Sequence, residues 1–200
     1  MGQLVDTVTA FPWWEPLAVL LGVLYLVLAA RENYWCWPAA FVSTLIFLFL
    51  FWDATLVMQT GLQCYYLAMA VYGWYRWRRH GDEGPVEIHS FGTAQHLVAL
   101  GLVAVATLLS YLLLDTYFDS AQPLLDSFTT WAAVLTTWMV AHKILENWLY
   151  WLVIDAVSIP LYLERGLMLT AALFAMYLVI VVYGYFAWRR LYRNAHHAKA

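Results

Sequence analysis

Asp155 is the residue in this chain that most clearly asks for chemistry. It sits about nine residues into an apolar stretch with no cation near it in sequence. A carboxylate at membrane depth is costly to keep, and such residues mark binding sites or pathways. Asn147, Trp151 and Asp155 recur at i, i+4 and i+8, so they stack on one helix face, and Ser158 continues the stripe. Asn33 and Trp37 repeat the amide–indole spacing, with Ser43 and Thr44 deeper in the same stretch. Gln59 and Gln63 follow at i and i+4 with Tyr66 a turn further on, and Tyr177 stands in the last apolar stretch with Thr170. Indole and phenol faces attract cations and stack on flat rings. Side-chain amides pair with amides and hydroxyls. No Lys or Arg lies inside these stretches to hold a phosphate. The chemistry suits a flat ring, cationic or neutral, bearing hydroxyls or an amide, and does not suit a nucleotide.

Each of these residues also has a structural reading. Asn33, Glu32, Glu146 and Asn147 stand near helix starts, where such side chains cap. The two glutamines could join helices by hydrogen bonds. Trp37 and Trp151 could belong to an interfacial aromatic belt. For Asp155 the structural alternative is pairing with a partner elsewhere in the chain. No His, Cys, Asp and Glu spacing resembles a metal site, and HExxH, GxSxG and a glycine-rich phosphate loop are all absent from the sequence. No nucleophile has a convincing base, so the reading is of a non-enzyme without cofactor or metal.

The elements that position these residues follow from composition. Of the 200 residues 64% are hydrophobic, 12% charged and 18% aromatic, with 12 Trp, 14 Tyr and 10 Phe. A soluble domain carries about 25% charged residues. A net charge of −3 excludes a basic nucleic-acid binder. The chain reads as all-α and embedded in a lipid bilayer. Seven spans are expected, at 14–30, 35–52, 55–76, 93–114, 127–142, 146–163 and 167–188. Arg78–Ser90 and Asp115–Asp126 read as loops. The first residues lack the basic start of a signal peptide. Cys36 and Cys64 fall inside spans, which argues against a disulfide. With the N-terminus outside, nine of ten Lys and Arg fall inside, Arg165 being the exception, which predicts N-out, C-in. Trp74, Trp77, Tyr183 and Trp188 then read as belt residues beside arginines.

The sequence also repeats itself. Tyr72-Gly73-Trp74-Tyr75-Arg76-Trp77-Arg78-Arg79 and Tyr183-Gly184-Tyr185-Phe186-Ala187-Trp188-Arg189-Arg190 agree at five of eight positions, at an offset of 111. Glu32-Asn33-Tyr34 and Glu146-Asn147-Trp148, then Trp37 and Trp151, match at 114, which calls for a three-residue insertion between them. Tyr66 and Tyr177 pair at 111. This divides the chain into an outer tail (1–13), a first three-helix repeat (14–77), a linker with a fourth helix (78–126), a second repeat (127–190) and an inner tail (191–200). Four helices separate equivalent elements, so the repeats run parallel, a carrier arrangement with its site at the repeat interface.

Several motifs resemble the PnuC family of bacterial vitamin transporters over nearly the whole chain. They are Trp37-Pro38, Leu62-Gln63-Cys64-Tyr65-Tyr66, Tyr72-Gly73-Trp74 with Trp77, Glu146-Asn147-Trp148-Leu149-Tyr150-Trp151, Asp155, Ile159-Pro160-Leu161-Tyr162 and the Gly184 to Trp188 end. The resemblance brings Trp148 into the candidate set. It implies a 3+1+3 fold like that of SWEET sugar transporters and a homotrimer in the bacterial inner membrane. It also implies facilitated diffusion of nicotinamide riboside, trapped by phosphorylation in the cytoplasm. Thiamine or riboflavin are the alternative substrates, since relatives are thought to carry them. The rivals from other classes are a non-transporting scaffold and an intramembrane enzyme. The polar stripe argues against the first and the missing catalytic pair against the second.

Overall fold

The computed structural model describes residues 14–53, 57–83, 87–117, 123–164 and 168–197. They form seven α-helices: α1 (Trp14–Ala30), α2 (Cys36–Asp53), α3 (Val57–Glu83), α4 (Thr93–Tyr117), α5 (Pro123–Ala141), α6 (Asn147–Glu164) and α7 (Met168–His197). The helix count matches the span count, but several ends differ. α3 runs on to Glu83 and α4 to Tyr117, into stretches expected to be loop. Gly81 alone does not stop a helix whose last turns carry good helix-forming arginines. α5 starts early, at Pro123, a residue suited to the first helical turn.

Among the described residues two segments, Thr93–Leu113 and Ala171–His197, are long and apolar enough to cross a membrane. The outer surface is apolar as well. On α4 alone Leu97, Val98, Leu100, Leu102, Val105, Leu108, Leu109, Leu112 and Leu113 are all exposed. A face of this kind belongs in hydrocarbon rather than in water.

α1 packs on α2, α2 on α3, α5 on α6 and α6 on α7, while α1 meets α7 and α3 meets α5 across the middle. α4 packs chiefly on α5, where Trp131 Nε1 donates to Ser110 Oγ at 2.8 Å, and it reaches α6 where His96 Nδ1 and the Tyr150 hydroxyl lie 2.9 Å apart. The segment before α4 straps onto the α5–α6 turn. The His89 N–H donates to Lys143 O there and His89 O accepts from the Leu145 N–H, while Glu146 accepts from Ser90 Oγ and the Phe91 N–H.

A single offset of 111 relates the two halves, and the 114 match is a coincidence of composition. α1 closes with Glu32 N–H bonded to Ala29 O and Asn33 N–H to Leu28 O; α5 closes with Lys143 N–H to Val140 O and Ile144 N–H to Met139 O. Both are Schellman caps, which need a left-handed residue at the same place. Those residues are Glu32 (φ 54°) and Lys143 (φ 51°). Trp37 is therefore equivalent to Trp148, not to Trp151. Trp37 meets Trp77 edge-on at 5.5 Å and 87°, and Trp148 meets Trp188 at 5.4 Å and 87°.

The core lies at this end of the bundle. Trp77 and Trp188, expected in the belt, are buried and touch each other at 6.1 Å. Their indoles cross between halves: Trp77 Nε1 donates to Ala141 O and Trp188 Nε1 to Ala29 O, both at 3.1 Å. Helix-end carbonyls have no partner within their own helix, so each half closes a helix of the other. Glu32 Oε1 lies 3.6 Å from Lys143 Nζ, which sits 4.8 Å over the Trp77 ring. Burial pushes the Lys143 ammonium below the ordinary lysine range, and Glu32 pulls it part of the way back.

Two glycines make the tryptophan packing possible. A Cβ at Gly73 would overlap the Trp37 ring, and one at Gly184 would come within 2.6 Å of Trp148. Gly73→Ala and Gly184→Ala are expected to destabilise the fold by about 1–3 kcal/mol each through overpacking. Gly101→Ala on α4 has open space and is expected to be neutral or mildly stabilising. Thermal unfolding of the three variants in detergent checks this, and a Gly73→Ala protein as stable as the parent would contradict it.

Candidate functional site

Between the two halves lies a cavity of about 230 Å³. Six helices line it and α4 does not. α1 gives Gly22, Tyr25 and Leu26, α2 gives Trp37, Ser43, Thr44 and Phe47, and α3 gives Gln63, Tyr66 and Ala70. α5 gives Thr137, α6 gives Trp151 and Asp155, and α7 gives Phe174, Tyr177 and Val181. The equivalences run through this lining. Leu26 faces the role of Thr137, Ala40 that of Trp151, Thr44 that of Asp155 and Gln63 that of Phe174; Tyr66 pairs with Tyr177 and Ala70 with Val181, all 111 apart. A frame built twice thus carries different chemistry on its two sides.

Six of the ten residues singled out in the sequence line this cavity: Trp37, Gln63, Tyr66, Trp151, Asp155 and Tyr177. Three do not. Asn33 turns its Oδ1 to the Trp35 N–H at 3.0 Å, a local turn bond. Asn147 is fully buried, and its Nδ2 donates to Ile144 O at 2.6 Å, tying the turn into α6. Trp148 is packed over Gly184 and against Trp188. The side chain of Gln59 lies outside the described residues.

Asp155 is 3% exposed, and among the described residues it has no hydrogen bond or ion pair. Two hydroxyls of the lining are engaged elsewhere. Ser43 Oγ donates to Ala18 O at 2.7 Å and Thr137 Oγ1 to Ala133 O at 2.8 Å. Gln63 is buried in the lining with its amide likewise without a partner among the described residues. A buried charge without a partner is strongly unfavourable, which makes Asp155 a candidate for meeting a group that enters the cavity. No Lys, Arg or His lines the cavity among the described residues. The site therefore offers one carboxyl group, one side-chain amide and aromatic walls from Tyr25, Tyr66, Trp151 and Tyr177.

Trp37 has a different part from the one its type suggested. Its ring is held between Gly73, Tyr25 and Trp77, so it forms the floor of the cavity rather than a movable stacking surface. Trp151 has no such clamp in the described contacts and is half-buried. Sequence reasoning missed Tyr25, Thr137, Gly22, Phe47 and Phe174. Tyr25, a phenol in an aliphatic stretch, was findable. Thr137 becomes visible once the offset of 111 carries Leu26 to it. Gly22 lets α1 come close to Tyr177, since a Cβ there would stand 3.0 Å from the Tyr177 hydroxyl. Phe47 and Phe174 carry no signal that separates them from lipid-facing residues.

Comparison with known proteins adds to this geometry. The family model described as nicotinamide mononucleotide transporter matches residues 12–190. The riboflavin/roseoflavin transporter RibM of Streptomyces davaonensis is 28% identical over 180 residues, covering 88% of this chain and 84% of that protein. The nicotinamide riboside transporter PnuC of Escherichia coli is 22% identical over 182 residues, covering 77% and 75%. PnuC of Neisseria mucosa is 22% identical over 196 residues, covering 91% and 74%. A crystal structure of the vitamin B3 transporter PnuC superposes with a TM-score of 0.78 at 22% identity, covering 96% of this chain and 87% of that one. That likeness shows the fold.

Asn147 gives a test that separates structure from site. Asn147→Ala removes a buried hydrogen bond and is expected to cost about 1 kcal/mol of stability. Because Asn147 does not line the cavity, the folded variant is expected to keep the parent's ligand affinity. A loss of affinity at unchanged unfolding temperature would return Asn147 to the site.

Proposed function

The chain belongs to the nicotinamide mononucleotide transporter family, and from that premise we propose that it carries nicotinamide riboside across the bacterial inner membrane. The observation that carries this reading is Asp155, a buried carboxylate unpartnered among the described residues, in an aromatic cavity free of cations. Nicotinamide riboside has a pyridinium ring, a carboxamide and a ribose. Trp151 and Tyr66 stack on the ring, Gln63 meets the carboxamide or the ribose, and Asp155 balances the charge. The phosphorylated mononucleotide fits poorly, because no lining residue can neutralise a phosphate. Transport is facilitated diffusion, kept inward by phosphorylation of the product in the cytoplasm.

The proposed architecture is 3+1+3, with α1–α3 and α5–α7 as parallel repeats around an axis along the membrane normal and α4 as the connecting span. The N-terminus lies outside and the C-terminus inside, which puts the arginine-bearing ends of α3 and α7 in the cytoplasm. The assembly is a homotrimer, and the leucine-rich face of α4 is an apolar surface open to such contacts or to lipid.

A second reading is riboflavin, favoured by the 28% identity to RibM. A neutral isoalloxazine stacks on the same aromatic walls but leaves Asp155 without a counter-charge. Calorimetry of the purified protein with nicotinamide riboside, thiamine and riboflavin decides among them. Nicotinamide riboside is expected to bind. Asp155→Asn, Trp151→Ala and Gln63→Ala are each expected to weaken it about tenfold or more, in line with the ~1.5–3 kcal/mol of a charge-assisted contact and the ~1–3 kcal/mol of a ring stack. The assembly should stay intact by light scattering. Binding of riboflavin alone, unaffected by Asp155→Asn, would replace the first reading with the second. If none of the three binds, the transporter assignment loses its main support.

A further inference from the structure

A carrier must be able to open its cavity at either end, and one end of this molecule shows how it is closed. Beyond the cavity floor at Trp37 lie Trp77, Trp188 and Trp148, and beyond them the two turns that follow α1 and α5. Several contacts in this plug join one half to the other. Trp77 Nε1 reaches Ala141 O, Trp188 Nε1 reaches Ala29 O, the Trp77 and Trp188 rings touch, and Glu32 pairs with Lys143. Moving the halves apart at this end breaks all of them together.

The ion pair stands out because of where it is placed. Glu32 and Lys143 occupy the left-handed position of two Schellman caps, where glycine is the usual residue and a side chain adds strain. Both caps would form more easily with glycine. Instead the two equivalent positions carry opposite charges aimed at one another, and Lys143 also lies over Trp77. Backbone strain of this kind gathers at switch regions. Neither residue lines the cavity.

We propose that Glu32 and Lys143 form a latch that holds the arginine-bearing mouth of the cavity closed, acting as positioning residues for transport without touching the substrate. The pair stabilises the closed arrangement and is lost in the open one. Its removal shifts the population toward the state open at this end. The inference rests on the transporter reading but not on the identity of the substrate.

Glycine substitutions separate a latch from a cap. Glu32→Gly and Lys143→Gly keep the backbone cap and delete the charge. Lys143→Met keeps the stem over Trp77 and removes only the ammonium. Access is read with Ser43→Cys on the cavity wall as the single thiol, in a Cys36→Ala, Cys64→Ser background. A membrane-impermeant maleimide is applied without substrate to right-side-out and inside-out vesicles, and thermal unfolding reports folding. The latch predicts labelling at least tenfold faster in all three variants from the arginine-bearing side, with no gain from the other. The swapped pair Glu32→Lys with Lys143→Glu is expected to return the rate toward the parent's. The proposal is overturned by labelling within twofold of the parent in the folded variants, by equal gains from both sides, or by a swapped pair as fast as the glycine variants. Because no vitamin enters the assay, a wrong substrate assignment leaves the result intact.

Discussion

A helix that ends inside a protein leaves backbone carbonyls without partners, and in a membrane there is little water to take them up. The ends of α1 and α5 meet this constraint with indole N–H groups borrowed from the opposite half, Trp188 for Ala29 and Trp77 for Ala141. Much of the molecule depends on that exchange. The indoles reach their carbonyls only because Trp37 and Trp148 lie flat over Gly73 and Gly184 and meet Trp77 and Trp188 edge-on. The helices must therefore approach closely at two equivalent places, and a single added methyl at either spoils the approach. The packed end fixes the helix positions, and the cavity is the space left where the halves diverge.

The cavity inherits its shape from the frame and its chemistry from departures from it. Trp151 stands where the other half has Ala40, Asp155 where it has Thr44, and Gln63 where it has Phe174. Ring, charge and amide thus come from positions where the halves disagree. The frame residues agree because each must answer the same packing problem twice. Tyr66 and Tyr177 sit between these classes, equal in type and facing the same space.

Much of this was legible in the chain. Apolar length gave seven helices, and intramembrane polarity led to Gln63, Trp151 and Asp155, which do share one cavity. The repeat was visible at Gly73 and Gly184. The amide–indole spacing misled, because Asn33-Trp37 and Asn147-Trp151 look alike in type but occupy different places, one amide closing a turn and the other buried under one. Trp77 and Trp188 looked like belt residues because arginines follow them; their burial comes from contact across halves, which no local pattern records. Glu32 and Lys143 were hidden for a related reason. They are equivalent in backbone and opposite in charge, so a search for identical residues passes over them.

The differences between the halves run sideways across the cavity. An axis along the membrane normal, as proposed for the repeats, places each equivalent pair at one depth, so Asp155 and Thr44 face one another across it and neither is nearer a mouth. On the proposed reading, a ligand drawn to Asp155 meets that carboxyl at the same depth whichever mouth it came from, so the site looks alike to traffic in both directions.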